Sequence, residues 1–453
     1  MPRTLSLATC LTLLSLFIQG ACAGEVKTAT PADYRKKLTT LSPGDTLRLE
    51  PGIYPAGLPL TDCNGTADAW ITIEGPPPAA GVAEIRQQAV ANCVELRRSS
   101  HLALRRLHIQ GGGPDGIPGQ FGISAQGGLK NRVHHIQVED CVISGWNTSQ
   151  QSVGISTKTP TWDWTIRRNK IIDCGTGLYL GNSNGNDPFI RGVIEGNLVM
   201  NPLGYCMEIK FQQPRPVVEG IPTTASRTLI RDNVFIKNDA PSPSGDRPNL
   251  LVGGFPEHGP GSDDSYEICG NFFYHNPRES LLQASGRVSI HDNVLVDSSS
   301  SRHAAITLRN HDLPLRQAHV YHNTIFHAAR GIHMANAASQ GHLVVGNAVF
   351  ADVPWMLPST SGHLAGNLAG TIAQAKEHLA HPSLHLGQMD LHPVPGSAQE
   401  PAPDLTACAG DTALGQDFEG VARGRLVFRG AYAGPAAPSA WRPDARLKPP
   451  PSR

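Results

Sequence analysis

The 453-residue sequence predicts an all-β fold, a single right-handed parallel β-helix with an N-terminal cap helix. Three observations predict it. One short phrase recurs along the chain, a second strand-like run precedes each copy, and the 47 Gly and 37 Pro suit a chain with many turns. The phrase is an apolar residue, two variable residues, Asn, one further residue and then apolar positions. It reads IRRNKII from Ile166, IEGNLVM from Ile194, IRDNVFI from Ile230, ICGNFFY from Ile268, IHDNVLV from Ile290, VYHNTIF from Val320 and VVGNAVF from Val344. VEDCVI from Val138 is an earlier copy, with Asp140 read in the Asn slot. The Asn positions are 169, 197, 233, 271, 293, 323 and 347, so the gaps are 28, 36, 38, 22, 30 and 24.

The short gaps fit one turn of a parallel coil, and the long ones a turn plus a loop. Period-two alternation and β-branched residues argue for strands. Stacked Asn side chains are expected to hydrogen-bond along the stack and to take the tight left-handed bend between strands. The preceding runs are FGISAQ at Phe121, VGISTK at Val153, TGLYLG at Thr176, CMEIKF at Cys206, NLLVGG at Asn249, SLLQAS at Ser280, AAITLR at Ala304 and GIHMAN at Gly331. They align as one sheet. Pro31 to Leu41 reads as an amphipathic cap helix over an otherwise open edge, and the segment from Pro43 as the first strand and turn.

Residues 1–23 read as a cleavable signal: Arg3, an apolar stretch from Leu5 to Ile18, then Ala21-Cys22-Ala23. A secreted or periplasmic protein follows from that reading; a lipid anchor on Cys22 is the alternative. No later stretch is apolar enough for a membrane span. Residues 24–370 are expected to form the β-helix, 371–434 a C-terminal extension, and 435–453 a Pro-rich flexible tail. A formal net charge of zero gives no global field for nucleic acid. The seven cysteines after the signal (63, 93, 141, 174, 206, 269 and 408) are expected mostly as buried thiols. The 19 histidines lack zinc spacing such as H-E-x-x-H, so zinc is not expected. A monomer is expected.

The opening PGDTLRLEPGIY from Pro43, the GTADAWITIEG run at Gly65, and Glu208-Ile209-Lys210 with TLIRDNVF at Thr228 resemble the chondroitinase-B and alginate-lyase type of polysaccharide lyase, within the pectate-lyase-like β-helix superfamily. The resemblance spans residues 30 to 370. It implies β-elimination on an acidic polysaccharide, with Lys210 as the base and Glu208 as the nearby acid. Calcium at the substrate carboxylate is the one cofactor it brings. The family's Arg-His-Gly position reads Glu257-His258-Gly259 here, so its arginine does not carry over.

Alternation places the candidate site without that resemblance. In CMEIKF the apolar Met207 and Ile209 face inward, so Glu208, Lys210 and Gln212 face out. By the same rule Tyr179, Lys158, Thr307, Arg309 and His333 face out. Coils stack about 4.8 Å apart, which lets Tyr179, Glu208 and Lys210 touch and leaves Arg309 roughly 14 Å from Lys210. The loops 212–227, 237–249 and 255–266 are expected to wall a groove over this column. Lys210, Tyr179 and His258 are thus the catalytic candidates. Glu208, Gln212, Lys158, Arg309, His311 and His333 are candidates for substrate binding; Asp263 with Asp264 are weak candidates for calcium, and a solvated turn is the favoured reading there. Alternatives to a lyase are a glycoside hydrolase, a C5-epimerase and a non-catalytic carbohydrate-binding protein.

Overall fold

The computed structural model describes residues 24–86, 92–299, 301–359, 362–397, 399–437 and 440–451. The expected signal, residues 1–23, lies outside the described residues. From Val26 to Gly370 the chain is a right-handed parallel β-helix of three long sheets, in which consecutive coils pair in parallel. Each coil contributes a leading strand to an 11-stranded sheet, a middle strand to a 14-stranded sheet and a trailing strand to a 12-stranded sheet. In one coil these strands are Val153–Lys158, Thr161–Arg167 and Lys170–Cys174.

The alternation builds the core. Along the leading sheet, Ile123, Ile155, Leu178, Met207, Leu250, Leu282, Ile306 and Ile332 lie in register, and all are fully buried. Along the middle sheet Val138, Ile166, Ile194, Ile230, Ile268, Ile290, Val320 and Val344 do the same. No coil could bury these side chains alone, so stability is shared by neighbours.

The Asn residues form a continuous internal ladder. Each side-chain Nδ2 donates to the next residue's Oδ1: Asn169 to Asn197 at 2.9 Å, Asn197 to Asn233 at 2.8 Å, Asn233 to Asn271 at 2.9 Å, and onward to Asn367. The same Oδ1 accepts a backbone N–H, and each Nδ2 also reaches a carbonyl of the coil before. Two expectations are corrected here. The left-handed bend belongs to the residue before each Asn, as at Arg168 (φ 54°) and Asp232 (φ 57°), because the Asn itself must aim its amide along the stack. In the VEDCVI copy the register puts Cys141, not Asp140, in the Asn slot. Cys141 N–H donates to Asn169 Oδ1, and Asp140 takes the left-handed position and accepts from Arg168.

At the N-terminus the only α-helix among the described residues is one turn, Tyr34–Leu38, shorter than the expected span. A strand that the sequence reading missed, Val26–Ala29, precedes it and pairs with Thr46–Leu49. Asp45 of the PGDT run holds this start together by accepting from Glu25 N, Ser42 N and Lys27 Nζ.

The C-terminal extension covers the outer face of the trailing sheet. Leu198, Val234, Phe272, Val294 and Phe350 point outward there and pack against Leu379, Met389, Leu391, Phe418 and Tyr432. The flexible-tail expectation fails for residues 440–451. Trp441 packs on Phe272 and Phe418, and Lys448, 6 % exposed, donates to Asp232, Gly270 O and Phe418 O. Proline excludes regular pairing but not docking, and this segment carries apolar residues that match an apolar face. All seven described cysteines are free thiols, six of them buried.

Candidate functional site

The outer face of the leading sheet carries two columns of side chains. In the first, Ser156, Tyr179, Glu208, Leu251, Gln283, Thr307 and His333 lie in register. In the second, backbone pairing sets Lys210 between Gly181 and Gly253, with Lys158 before and Ser285 and Arg309 after. Tyr179 and Glu208 are direct neighbours across one rung. Lys210 Nζ sits 2.9 Å from Glu208 Oε1, with Tyr179 the rung neighbour of Glu208. Gly253 has a steric reason to be glycine. A Cβ there would fall 2.3 Å from Phe211 N, where the chain turns away just after Lys210.

Burial shapes the chemistry of this point. The Glu208 side chain is 3 % exposed and that of Lys210 is 14 % exposed. Burial pushes the Glu208 carboxyl above its usual range, and Lys210 only partly offsets this. Burial also raises the Tyr179 hydroxyl, and the Glu208 charge adds to it, so Tyr179 stays a proton donor. Lys158 stacks over Phe121 at 4.8 Å and Tyr179 at 5.4 Å, and burial lowers its ammonium pKa.

Loops add further groups, of which only His311 was among the sequence candidates. Tyr205 lies beside Glu208 and Tyr179, with the Arg247 guanidinium 5.5 Å above its ring. His311 and Asp312 come from the turn after Ala304–Leu308, whose Leu313 packs on Gly254. The Asp312 charge helps raise both Glu208 and Tyr179. Burial lowers the His311 imidazole, with Asp312 opposing and Lys210, Arg309 and Arg247 reinforcing the shift, so it is neutral near pH 7. The signal for Tyr205, Arg247 and Asp312 was weak: loops have no period, and only their length marked them.

Other expected site residues lie elsewhere. Gln212 is buried and donates to Phe189 O, because the strand ends at Ile209 and alternation ends with it. His258 is exposed on the loop beside Pro214, and no hydrogen bond or ion pair links it to Tyr179, Glu208 or Lys210 among the described residues. Asp263 and Asp264 do not form a calcium pair. Asp264 is buried against Arg215 and accepts from Ser226 N, while Asp263 pairs with Arg287 at 3.2 Å. Arg309 is exposed three rungs from Lys210, and His333 lies further along, at the end of the stack with Trp355 and Met356.

No helix among the described residues is long and apolar enough to cross a membrane. No family model matches the chain, and no curated protein matches it. Among solved structures it is similar in fold to pectate lyase Pel9A, with 11% identity, a TM-score of 0.44 and coverage of 91% of this chain and 98% of that one. It is similar to the A-module of the Azotobacter vinelandii mannuronan C-5 epimerase AlgE4, with 14% identity, a TM-score of 0.43 and coverage of 78% and 98%. An alginate lyase from Paenibacillus sp. str. FPU-7 gives 12% identity, a TM-score of 0.40 and coverage of 76% and 97%. At these values the likenesses carry no argument about activity, which rests on the site alone.

Proposed function

We propose that this chain is an exported enzyme that acts on an acidic, uronate-containing polysaccharide and cleaves it by β-elimination at the Tyr179–Glu208–Lys210 point. The supporting observation is the Glu208–Lys210 contact one rung from Tyr179, with Lys158 and Arg247 beside it and Arg309 three rungs along. The cations neutralise the substrate carboxylate, which makes the neighbouring C–H acidic enough to remove. Lys210 Nζ takes that proton. Tyr179 gives its proton to the departing glycosidic oxygen, and a C=C bond remains in the new non-reducing end. Glu208 holds the lysine in place. Arg247 and Arg309 offer the planar fork that pairs with carboxylates.

The test is incubation with alginate, polygalacturonate and glycosaminoglycans, following the ultraviolet absorbance of the unsaturated product and its mass. Wild-type protein should give both signals on one acidic polymer, and Lys210→Ala should abolish them. No unsaturated product from any acidic polymer, with or without calcium, would sink the proposal. A second reading has one observation in its favour: Asp312 acts electrostatically on Glu208. Glu208, whose carboxyl burial raises, and Asp312 would then be the two carboxyl groups of a hydrolase. New reducing ends without ultraviolet absorbance would select that reading.

A further inference from the structure

Away from the groove, Glu267, Cys269 and His291 meet on the outer face of the middle sheet, beneath the C-terminal extension. Cys269 and His291 are direct partners across one rung, and Glu267 precedes Cys269 by two residues on the same strand, so alternation turns all three the same way. Their exposures are 0 %, 3 % and 0 %. His291 Nε2 lies 3.4 Å from Glu267 Oε1, and Cys269 Sγ lies 4.0 Å from that same oxygen. All three donor atoms fall within 4.8 Å of one another. His291 Nε2 is buried and makes no hydrogen bond.

These edges are close to those of a tetrahedral metal centre. Bond lengths of about 2.0–2.1 Å to nitrogen and oxygen and about 2.3 Å to sulfur give edges of roughly 3.3 Å for N to O and roughly 3.6 Å for S to O. The N–O edge already fits, the S–O edge is a few tenths of an ångström long, and the S–N edge, within 4.8 Å, would close to roughly 3.6 Å on an ion.

The surroundings are those of a built site. His291 Nδ1 sits 2.8 Å from Asp292 Oδ2, which fixes the ring and aims Nε2 at Glu267 and Cys269. Asp292 is itself held by Arg423 at 2.5 Å. The second oxygen of Glu267 is held by Arg227 at 2.7 Å, and the Tyr321 ring stacks on His291 at 4.5 Å. The extension reaches the cluster through Thr412, whose N and Oγ1 both donate to Glu267 Oε1 at 2.8 Å.

The geometry points to a structural divalent metal site, filled by Zn²⁺ on Glu267 Oε1, Cys269 Sγ and His291 Nε2, at the joint between the coil stack and the extension. Three protein donors leave a fourth position for water or the Thr412 hydroxyl. Binding releases the Cys269 thiol proton to solvent as the thiolate forms. Thiolate plus carboxylate balances the dication, and a soft sulfur donor favours zinc over calcium. The spacing reading missed it because the donors come from two coils, 22 residues apart between Cys269 and His291.

The test is independent of the groove chemistry. The full chain is expressed in medium supplemented with zinc or with cobalt, so that the ion enters during folding, and is purified without chelator. Expected are about one metal per chain by mass spectrometry and, for cobalt, a thiolate-to-metal charge-transfer band with tetrahedral visible bands. Cys269→Ser should abolish the charge-transfer band, and His291→Gln should lower the metal content at least tenfold. Lys210→Ala should keep both signals. Metal-free wild-type protein, or a cobalt form without the thiolate band, would overturn the proposal whether or not the variants fold.

Discussion

The outer faces of the leading and trailing sheets are made by the same alternation and meet opposite fates. On the trailing sheet the outward column runs Val142, Lys170, Leu198, Val234, Phe272, Val294, Thr324 and Ala348. It is mainly apolar from Leu198 onward, and the extension covers that stretch. On the leading sheet the outward columns hold Lys158, Tyr179, Glu208, Lys210, Thr307 and Arg309, and the described residues of the extension leave them uncovered. A coil fixes which residues point out. The residue type then decides whether the chain buries that face or leaves it for a ligand.

The largest expected effect breaks the open face. If Lys210 removes the substrate proton, Lys210→Ala should lower kcat by about 10²–10⁴-fold, the range for a positioned general base. Its circular dichroism should match wild type. Loss of activity together with loss of the β signal would instead mark the Glu208–Lys210 pair as structural. Next comes the covered face. Phe272 is fully buried under Trp441, so Phe272→Ala should cost about 3–5 kcal/mol in denaturant unfolding. The same variant should expose the extension to protease. If the extension stays resistant while stability falls, the face is held by its polar joint at Glu267 and Lys448 and not by its apolar area.

The sequence made the coil legible because the coil is periodic. The Asn phrase marked the ladder, and CMEIKF marked the Glu208–Lys210 contact through two-residue alternation. The residue after each Asn also carried the footprint of the extension, as the shift from Lys170 to Leu198 and Phe272 shows. That signal went unread because apolar residues there also suit a core. Tyr205, Arg247 and Asp312 were not legible. They reach the site through loops, whose paths depend on long-range packing and have no period. The end of a strand was equally hidden, which is why Gln212 was placed outside when its side chain is buried.

The ladder links the two faces, and its cost should be intermediate. Asn233 is fully buried and exchanges hydrogen bonds with Asn197, Asn271 and Ile194 O. Asn233→Ala removes the Oδ1 that accepts from the Asn197 backbone N–H and Nδ2, so about 1–3 kcal/mol should be lost in denaturant unfolding, with groove binding unchanged. An effect on binding as large as that on stability would mean that the coils bend and that the two faces are mechanically coupled.

The smallest effect concerns the outer face of the middle sheet, which is neither apolar nor open. There His134 stacks on Trp162 at 4.3 Å and His101 stacks on His135 at 4.4 Å. Burial, with the neighbouring histidines adding to it, pushes His134 down to about 4. The unfolded chain binds its proton near pH 6.5, so it holds more protons than the folded chain between those values. Stability should therefore fall as pH drops from about 6.5 towards 4, and level off below for this group. After allowance for the partly exposed ring, the loss is on the order of 1 kcal/mol. His134→Gln should flatten that part of the pH–stability curve and leave the curve above pH 7 in place. A parallel shift of the whole curve would show that the ring contributes by stacking alone, which would make this face a packed surface like the trailing one, only narrower.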